Sequence, residues 1–89
     1  MKTIYKYPLT MLHRQTIELP LGSTILCIQT QHETPCVCAL VDPAIQNKRP
    51  VILVMIGTGH PMPTVGSHIG TFQLNGGAFV FHLFYGVPE

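Results

Sequence analysis

The sequence predicts an all-β protein, mainly antiparallel, built as a small barrel or sandwich of six to seven short strands. Three observations lead to this fold class. Eight prolines and eight glycines divide the 89 residues into short pieces. Most of these pieces are rich in β-branched and aromatic residues or alternate polar with apolar ones, which is typical of strands. No segment keeps the apolar spacing of a helix over the roughly ten residues that a helix needs.

The predicted strands follow one another closely, with turn residues between them. They cover residues 3–7, 15–19, 24–31, 36–41, 51–56, 69–74 and 78–85. The segment 42–50 is expected to be a polar loop or a single helical turn, because Asp42-Pro43 ends the preceding strand. The step 31–35 and the step Asn75-Gly76-Gly77 each join two strand-like runs, which predicts two hairpins. Residues 57–70 form the longest predicted loop.

Length and composition limit the possible functions. A chain of 89 residues has room for one hydrophobic core, so we expect a single β-rich domain over residues 1–89. The net charge is +1 and the basic residues do not cluster, which argues against long nucleic acid as a partner. Apolar residues make up 46% and charged residues 10%, so part of the apolar surface is expected to be covered in a homo-oligomer.

The pattern of apolar segments bears on location. The longest apolar run, 51–57, is too short to cross a bilayer, and the first residues lack the apolar stretch of a signal peptide. We therefore expect no membrane association and a cytoplasmic location. In a reducing compartment the three cysteines, Cys27, Cys36 and Cys38, are expected to remain buried thiols without a disulfide.

Cysteine and histidine residues raise two alternatives that involve chemistry. Cys36 and Cys38 together with His60, His68 and His82 are ligand types that zinc accepts, although their spacing differs from that of structural zinc sites. A nucleophilic pair of Cys36 with His82 would need an electropositive setting, which the neighbouring sequence does not supply. We therefore expect no metal, no cofactor and no catalytic residue.

The loop after the most apolar strand is the first candidate for a binding site. It reads Gly57-Thr58-Gly59-His60-Pro61. Glycines let a backbone approach a ligand closely, while Thr58 and His60 offer a hydroxyl and an imidazole. The loop lacks the lysine of a phosphate-binding P-loop, and no helix pattern follows it. A tight turn after a buried strand explains the same residues, so both interpretations stay open.

The last predicted hairpin supplies the second candidate. His82 is a polar residue in an apolar strand, so its ring needs a hydrogen-bond partner or a cavity. Gln73 and Thr71 lie on the neighbouring strand and could share one polar pocket with His82. The aromatic residues of the hairpin, Phe72, Phe81 and Phe84, would form walls for a ring or a base. Core packing accounts for His82 and for these aromatics equally well.

Several sequence blocks resemble a known family of small proteins. The blocks are Ile4-Tyr5-Lys6-Tyr7-Pro8-Leu9, Gln15 to Pro20, Ala39-Leu40-Val41-Asp42-Pro43, Gly57-Thr58-Gly59-His60-Pro61, Ile69-Gly70-Thr71-Phe72-Gln73 and Phe81-His82-Leu83-Phe84. The family is one of small proteins of unknown function from phages, prophages and bacteria. Its members often carry a tryptophan where this sequence has Cys38, which argues against Cys38 as a required ligand. The resemblance implies a phage-related context and no particular activity.

These observations lead to a binding function as the leading hypothesis. We expect a non-enzymatic, phage-type counter-defence protein that sequesters a nucleotide-type immune signal in the bacterial host cytoplasm. The expected ligand-binding residues are Gly57, Thr58, Gly59, His60, Pro61, Thr71, Gln73 and His82. The alternative is a protein–protein inhibitor or adaptor that blocks a host defence protein through an exposed strand edge or an apolar patch. A small hydrolase or metal enzyme that uses His60, His82 and a cysteine is the third possibility.

Overall fold

The computed structural model describes residues 1–88 and contains two antiparallel sheets. The strands are β1 (Thr3–Pro8), β2 (Arg14–Pro20), β3 (Thr24–Gln31), β4 (Thr34–Val41), β5 (Lys48–Gly57), β6 (His68–Leu74) and β7 (Phe79–Tyr85). Sheet A has the order β1-β4-β3, and sheet B has the order β2-β5-β7-β6. The predicted all-β class is confirmed. Because neither sheet closes on itself, the architecture is a sandwich rather than a barrel.

Two tight turns create the predicted hairpins. His32 and Glu33 connect β3 to β4 with φ values of 50° and 63°, the left-handed geometry that suits a two-residue hairpin turn. Asn75–Gly77 forms a short 3₁₀ turn between β6 and β7. Within the described part of the chain, no helix is long and apolar enough to cross a membrane.

Strand β5 is longer than its sequence pattern predicts. The expected loop over 42–50 ends early, because Lys48 already pairs with Pro20 and Pro50 pairs with Glu18. A proline is tolerated here because β7 pairs with β5 only from Leu53 onward. Over its first residues β5 therefore has a neighbouring strand on one side only, and the missing N–H of Pro50 need not face a partner.

The core lies between the two sheets and is made of aliphatic side chains with a few aromatics. Its buried members are Leu9, Leu19, Ile28, Val37, Ala39, Val41, Val51, Leu53, Met55, Phe72 and Leu83. The sheets approach each other closely where β3 packs along β6. There the Thr30 hydroxyl donates to the Gln73 carbonyl over 2.8 Å. A Cβ atom on Gly70 would lie 2.6 Å from Ile28 Cγ2, so the absence of a side chain at Gly70 permits this contact.

The outward side of sheet B is partly covered by the chain itself. Successive residues of a strand point to opposite faces, so Val54 and Ile56 face away from the core residues Leu53 and Met55. They are buried nonetheless. The chain that follows β7 continues along β5, where the Gly86 N–H donates to the Ile52 carbonyl over 2.8 Å, and a Cβ atom on Gly86 would lie 3.2 Å from Val54 Cγ2. The outward face of β5 is therefore an internal surface along part of its length.

Candidate functional site

The end of β5 and the loop that follows it form the first part of the site. Gly57 is the last residue of β5, and the His60 N–H donates to its carbonyl over 3.0 Å, which closes a turn. The His60 ring packs over Gly57: a Cβ atom there would lie 3.1 Å from both Nδ1 and Cε1 of the imidazole. Gly59 has a φ of 90°, which a glycine adopts without strain. The glycines of this loop thus place the imidazole of His60 against the strand end.

A cavity of about 450 Å³ opens beside His60. It is lined by His13, Met55, Ile56, His60, Pro61, Met62 and Pro63. His13 reaches this place because its carbonyl accepts a 2.9 Å hydrogen bond from the Met55 N–H, which fixes the segment before β2 against the end of β5. The lining is mainly apolar and contains two imidazoles, and among the described residues it includes no lysine, arginine or carboxylate.

A smaller cavity of about 190 Å³ adjoins the first one. Its lining shares His13, Met55 and His60 with the larger cavity and adds Met11, Leu12, Gly57 and Phe81. The two spaces therefore meet around the same pair of histidines. Neither imidazole of that pair forms a hydrogen bond within residues 1–88. Their polar atoms are consequently open to a ligand.

His82 belongs to a hydrogen-bonded network on the outward face of sheet B. Its Nε2 lies 2.8 Å from the Thr58 hydroxyl, and its Nδ1 lies 2.9 Å from the Thr71 hydroxyl. The Thr71 hydroxyl also lies 3.4 Å from Nε2 of His68. Both ring nitrogens of His82 are thus engaged, and the residue is a structural anchor that ties β6, β7 and the loop after β5 together.

One direction of hydrogen bonding satisfies the whole network. The Thr58 hydroxyl lies 3.3 Å from the Val80 carbonyl, which can only accept. If Thr58 donates there, it must accept from Nε2–H of His82, and Nδ1 of that ring then accepts from the Thr71 hydroxyl. Thr71 in turn accepts from His68. The geometry therefore favours the Nε2–H tautomer of neutral His82.

The network and the cavity are neighbours, although they share no lining residue. Ile56 lines the larger cavity and is the direct cross-strand partner of His82. Thr71 is the next partner across the sheet. Phe84 extends the same face, and its ring meets that of His68 edge-on at a centroid separation of 5.1 Å. A ligand in the cavity would thus be separated from the network by one isoleucine.

Of the eight residues predicted for the site, six belong to the cavities or the network, whereas Gly59 and Gln73 belong to neither. Gly57, His60 and Pro61 line the cavities, whereas Thr58, Thr71 and His82 form the network. Gln73 lies further along β6, where its side-chain oxygen is near Gly77. The aromatics Phe72 and Phe81 stack on each other at 5.6 Å; Phe72 is buried in the core, while Phe81 also lines the smaller cavity.

Several cavity residues were absent from the sequence-based site. These are His13, Met55, Ile56, Met62 and Pro63 for the larger cavity, and Met11 and Leu12 for the smaller one. Met62 and Pro63 lie in the predicted loop over 57–70, directly after the segment Gly57 to Pro61 that was chosen for the site, so extending that choice along the loop would have found them. The sequence around His13 does not indicate that this residue lies at the cavity, because its position depends on the pairing of β2 with β5.

The cysteines belong neither to the cavities beside His60 nor to the His82 network. Cys36 is buried, and Cys27 and Cys38 are partly exposed on sheet A. Among residues 1–88, no group of three or more His, Cys, Asp or Glu side chains is placed to hold a metal ion.

Comparison with known families gives the chain its class. A family model described as Domain of unknown function (DUF7352) matches residues 1–89. The chain therefore belongs to this family of uncharacterised domains. No curated protein and no solved structure gives a significant match.

Proposed function

We propose that this protein is a non-enzymatic binding protein that sequesters a small, nucleotide-type ligand. The observation that carries the proposal is the cavity beside His60, with its apolar lining and two imidazoles that form no hydrogen bond within residues 1–88. Small-molecule sites are typically concave, mostly apolar and equipped with a few polar groups, and they range from roughly 300 to 1,000 Å³. The cavity of about 450 Å³ fits that description.

The lining suits a flat ring. Methionine sulfur and proline rings pack well against aromatic faces, and an imidazole can stack on a base or exchange hydrogen bonds with its edge. Met55, Met62 and Pro61 would contact the faces of such a ring, while His13 and His60 would meet its polar edge. A nucleobase or a similar heterocycle combines these apolar faces and polar edges in one group.

The charge of the lining limits how phosphates could be held. No lysine or arginine lines the cavity, so a phosphate would receive hydrogen bonds from the imidazoles or remain in solvent. Recognition through the base, with the phosphates near the opening, is the arrangement that this lining supports. A ligand with several phosphate groups is disfavoured, because no basic side chain of the lining would neutralise their charges.

The position of the threonines supports binding without catalysis. Within residues 1–88, Thr58 and Thr71 are the hydroxyls that hydrogen-bond to an imidazole, and both are bonded to His82 in the network. Neither residue lines the cavity. A ligand beside His60 would therefore meet no hydroxyl–imidazole pair of the kind that nucleophilic catalysis uses.

The biological setting of the proposal comes from the resemblance to small phage and prophage proteins. In that setting the sequestered nucleotide would be an immune signal of the bacterial host, and the protein would act in the host cytoplasm as a counter-defence protein. A homo-oligomer would deepen the site if a second copy covered its open side. These elements extend the proposal beyond the cavity itself.

Calorimetric titration with a panel of ring-containing nucleotides tests the proposal. The panel comprises cyclic mononucleotides, cyclic dinucleotides and adenosine diphosphate sugars, and we expect at least one class to bind with a Kd of about 1 μM or tighter. His60→Ala should weaken that binding at least thirtyfold, the effect of losing a contact of about 2 kcal/mol. His32→Asn, which removes a histidine of the β3–β4 turn that lines neither cavity, is the matched control and should bind like the parent.

Two results would overturn the proposal. One is the absence of binding by every class in the panel. The other is a His60→Ala variant that binds as tightly as the parent.

A protein–protein inhibitor is the second candidate, and one observation favours it. β1 is an edge strand of sheet A, and its Ile4 and Tyr5 side chains are 58% and 47% exposed. An exposed strand edge can pair with a strand of another protein. Ile4→Lys together with Tyr5→Lys would place charge on this edge without touching the cavity. If the doubly substituted protein loses counter-defence activity in host cells while nucleotide binding is unchanged, the edge is the functional surface.

A further inference from the structure

Two cysteines face each other across sheet A. Cys27 on β3 is the direct pairing partner of Cys38 on β4, and Cys36 pairs with Gln29 two positions further along. Directly paired residues of antiparallel strands project from the same face of a sheet. All three thiols therefore belong to the outward face of sheet A, and all three are free.

We propose that Cys27 and Cys38 form a dithiol that low-molecular-weight disulfides oxidise reversibly to an intramolecular disulfide. The proposal is independent of the nucleotide-binding function, because neither cysteine lines the cavities or belongs to the His82 network.

The pairing register satisfies the main geometric requirement. The register of β3 against β4 shifts between Ile25 and Cys27, and after this irregularity Cys27 lies opposite Cys38. Directly opposed residues of regular antiparallel strands have Cα atoms about 4.5 Å or 5.5 Å apart, depending on their hydrogen bonding. Disulfides span Cα separations of roughly 4.4–6.8 Å, so either arrangement is suitable. The Cβ atoms of such pairs are about 4.5–5.5 Å apart, slightly wider than the mean of about 3.8 Å in disulfides. Closing the bond must draw the strands together, and a bond formed under strain is easier to reduce.

Burial explains why Cys36 would not take part. The Cys36 side chain is buried, whereas Cys27 and Cys38 are partly exposed to the solvent that carries the oxidant. Cys36 and Cys38 are also two residues apart on one strand, which separates their Cα atoms by about 6.6–6.8 Å. That distance is at the far limit for a disulfide. Cys38 is therefore better placed to bond with Cys27 than with Cys36.

The local electrostatics set the pH dependence of the reaction. Burial, together with the nearby Cys38 thiol, raises the pKa of Cys27 above its ordinary value. The thiolate is the attacking species in thiol–disulfide exchange. A raised pKa means that Cys27 holds its proton at neutral pH, so exchange that begins at Cys27 should become faster as the pH rises towards the elevated pKa.

The reaction balances with oxidised glutathione as the oxidant. One cysteine thiolate attacks a glutathione sulfur, which forms a mixed disulfide and expels one glutathione thiolate. The second cysteine then loses its proton and attacks the cysteine sulfur of the mixed disulfide, which expels the second glutathione. The two protons from the cysteines end on the two glutathione thiols. The protein loses two protons and two electrons, which together are two hydrogen atoms, and one glutathione disulfide becomes two reduced glutathiones.

The test follows the thiols of the full chain after incubation with excess oxidised glutathione. We expect the intact mass to fall by two hydrogens, with no glutathione attached and with full reversal by dithiothreitol. Peptide mapping should locate the bond between Cys27 and Cys38 and leave Cys36 accessible to alkylation after unfolding. The rate should increase with pH.

Three variants separate the roles of the cysteines. Cys36→Ser should oxidise like the parent. Cys27→Ser and Cys38→Ser should each stop at a mixed disulfide, which adds one glutathione to the remaining partner. If a serine variant fails to fold, the peptide map of the parent decides the question. The proposal is overturned if the parent retains three free thiols, accumulates glutathione without an internal bond, links Cys36, or forms disulfides between chains.

Discussion

His60 and His82 lie close together at one end of sheet B, yet their surroundings differ in every respect that matters for function. The His82 ring has both nitrogens hydrogen-bonded to threonine hydroxyls from two different segments. The His60 ring packs on a glycine, lines two cavities and forms no hydrogen bond within residues 1–88. The His82 imidazole connects separate segments of the protein, whereas the polar atoms of the His60 imidazole face the cavities.

Structural and ligand-facing histidines differ in where their hydrogen bonds are satisfied. A polar group whose hydrogen bonds are satisfied inside the protein contributes to stability and has little capacity left for a ligand. A polar group that lines a cavity with its hydrogen-bonding atoms free contributes little to stability and can recognise a ligand. The same side-chain type thus predicts opposite mutational outcomes at the two positions.

The largest effect on stability is expected from His82→Ala. The substitution removes two hydrogen bonds, each contributing about 0.5–1.5 kcal/mol, and leaves a gap between β6 and the loop after β5. We expect the free energy of unfolding to fall by about 2 kcal/mol, measured by urea denaturation. His60→Ala, measured in parallel, should change it by less than about 0.5 kcal/mol because an exposed loop residue has few contacts to lose. Equal losses in the two variants would contradict the comparison.

A smaller effect should follow from removing one hydroxyl of the network. Thr71→Val keeps the shape of the side chain but removes the partner of His82 Nδ1, and should cost about 1 kcal/mol. In a background that already carries His82→Ala, the same substitution should cost much less, since the partner ring is gone. Additive losses in this double-mutant cycle would show that the network is not a unit.

The tautomer of His82 provides a second test of the same network, because it depends on the direction of the hydrogen bonds. Nitrogen-15 NMR of the imidazole should show the Nε2–H form in the parent protein, because the Val80 carbonyl fixes the direction of the Thr58 hydroxyl. The His60 ring, which forms no hydrogen bond within residues 1–88, serves as the reference for an unconstrained ring. A predominantly Nδ1–H form of His82 would contradict this assignment. His82 would then donate to Thr71 and accept from Thr58, and Thr71 would donate to His68.

The smallest effect on stability is expected from Gly57→Ala. The new methyl group would lie 3.1 Å from the His60 ring, which sits at the end of a mobile side chain and can move away. The loss of stability should stay below about 1 kcal/mol. Ligand binding should nevertheless decrease, because the displaced ring no longer occupies its place in the cavity wall. Unchanged binding, measured by calorimetry, would show that the position of this ring is unimportant.

The sequence predicted the fold well because strand patterns and turn residues are local signals. The hairpin at Asn75-Gly76-Gly77 and the strand over 24–31 were found with their correct connections. The start of β5 was missed because Pro50 reads as a strand boundary, whereas its one-sided pairing with β2 makes it acceptable. Whether a strand can include Pro50 depends on which strands lie beside it, and those strands are distant in sequence.

The candidate site was predicted less completely for the same reason. Gly57, His60 and Pro61 were identified from the composition of one loop. The division of the polar residues into a cavity and a separate network depends on which strand face each side chain occupies. His13 joins the cavity only because its carbonyl accepts the Met55 N–H across two strands. Such a contact has no local sequence signal.

The strand order has a consequence for how the chain folds. β3 pairs with β4 and β6 with β7 through short turns, whereas β1 pairs with β4 and β2 with β5 over long stretches of intervening chain. Closing a long loop costs entropy before any contact offsets it, so the two hairpins should form early and β1 and β2 should join late. Substitutions in the hairpins would then slow folding, while substitutions in β1 would mainly accelerate unfolding. The strand that is most open to a partner would also be the one that detaches first.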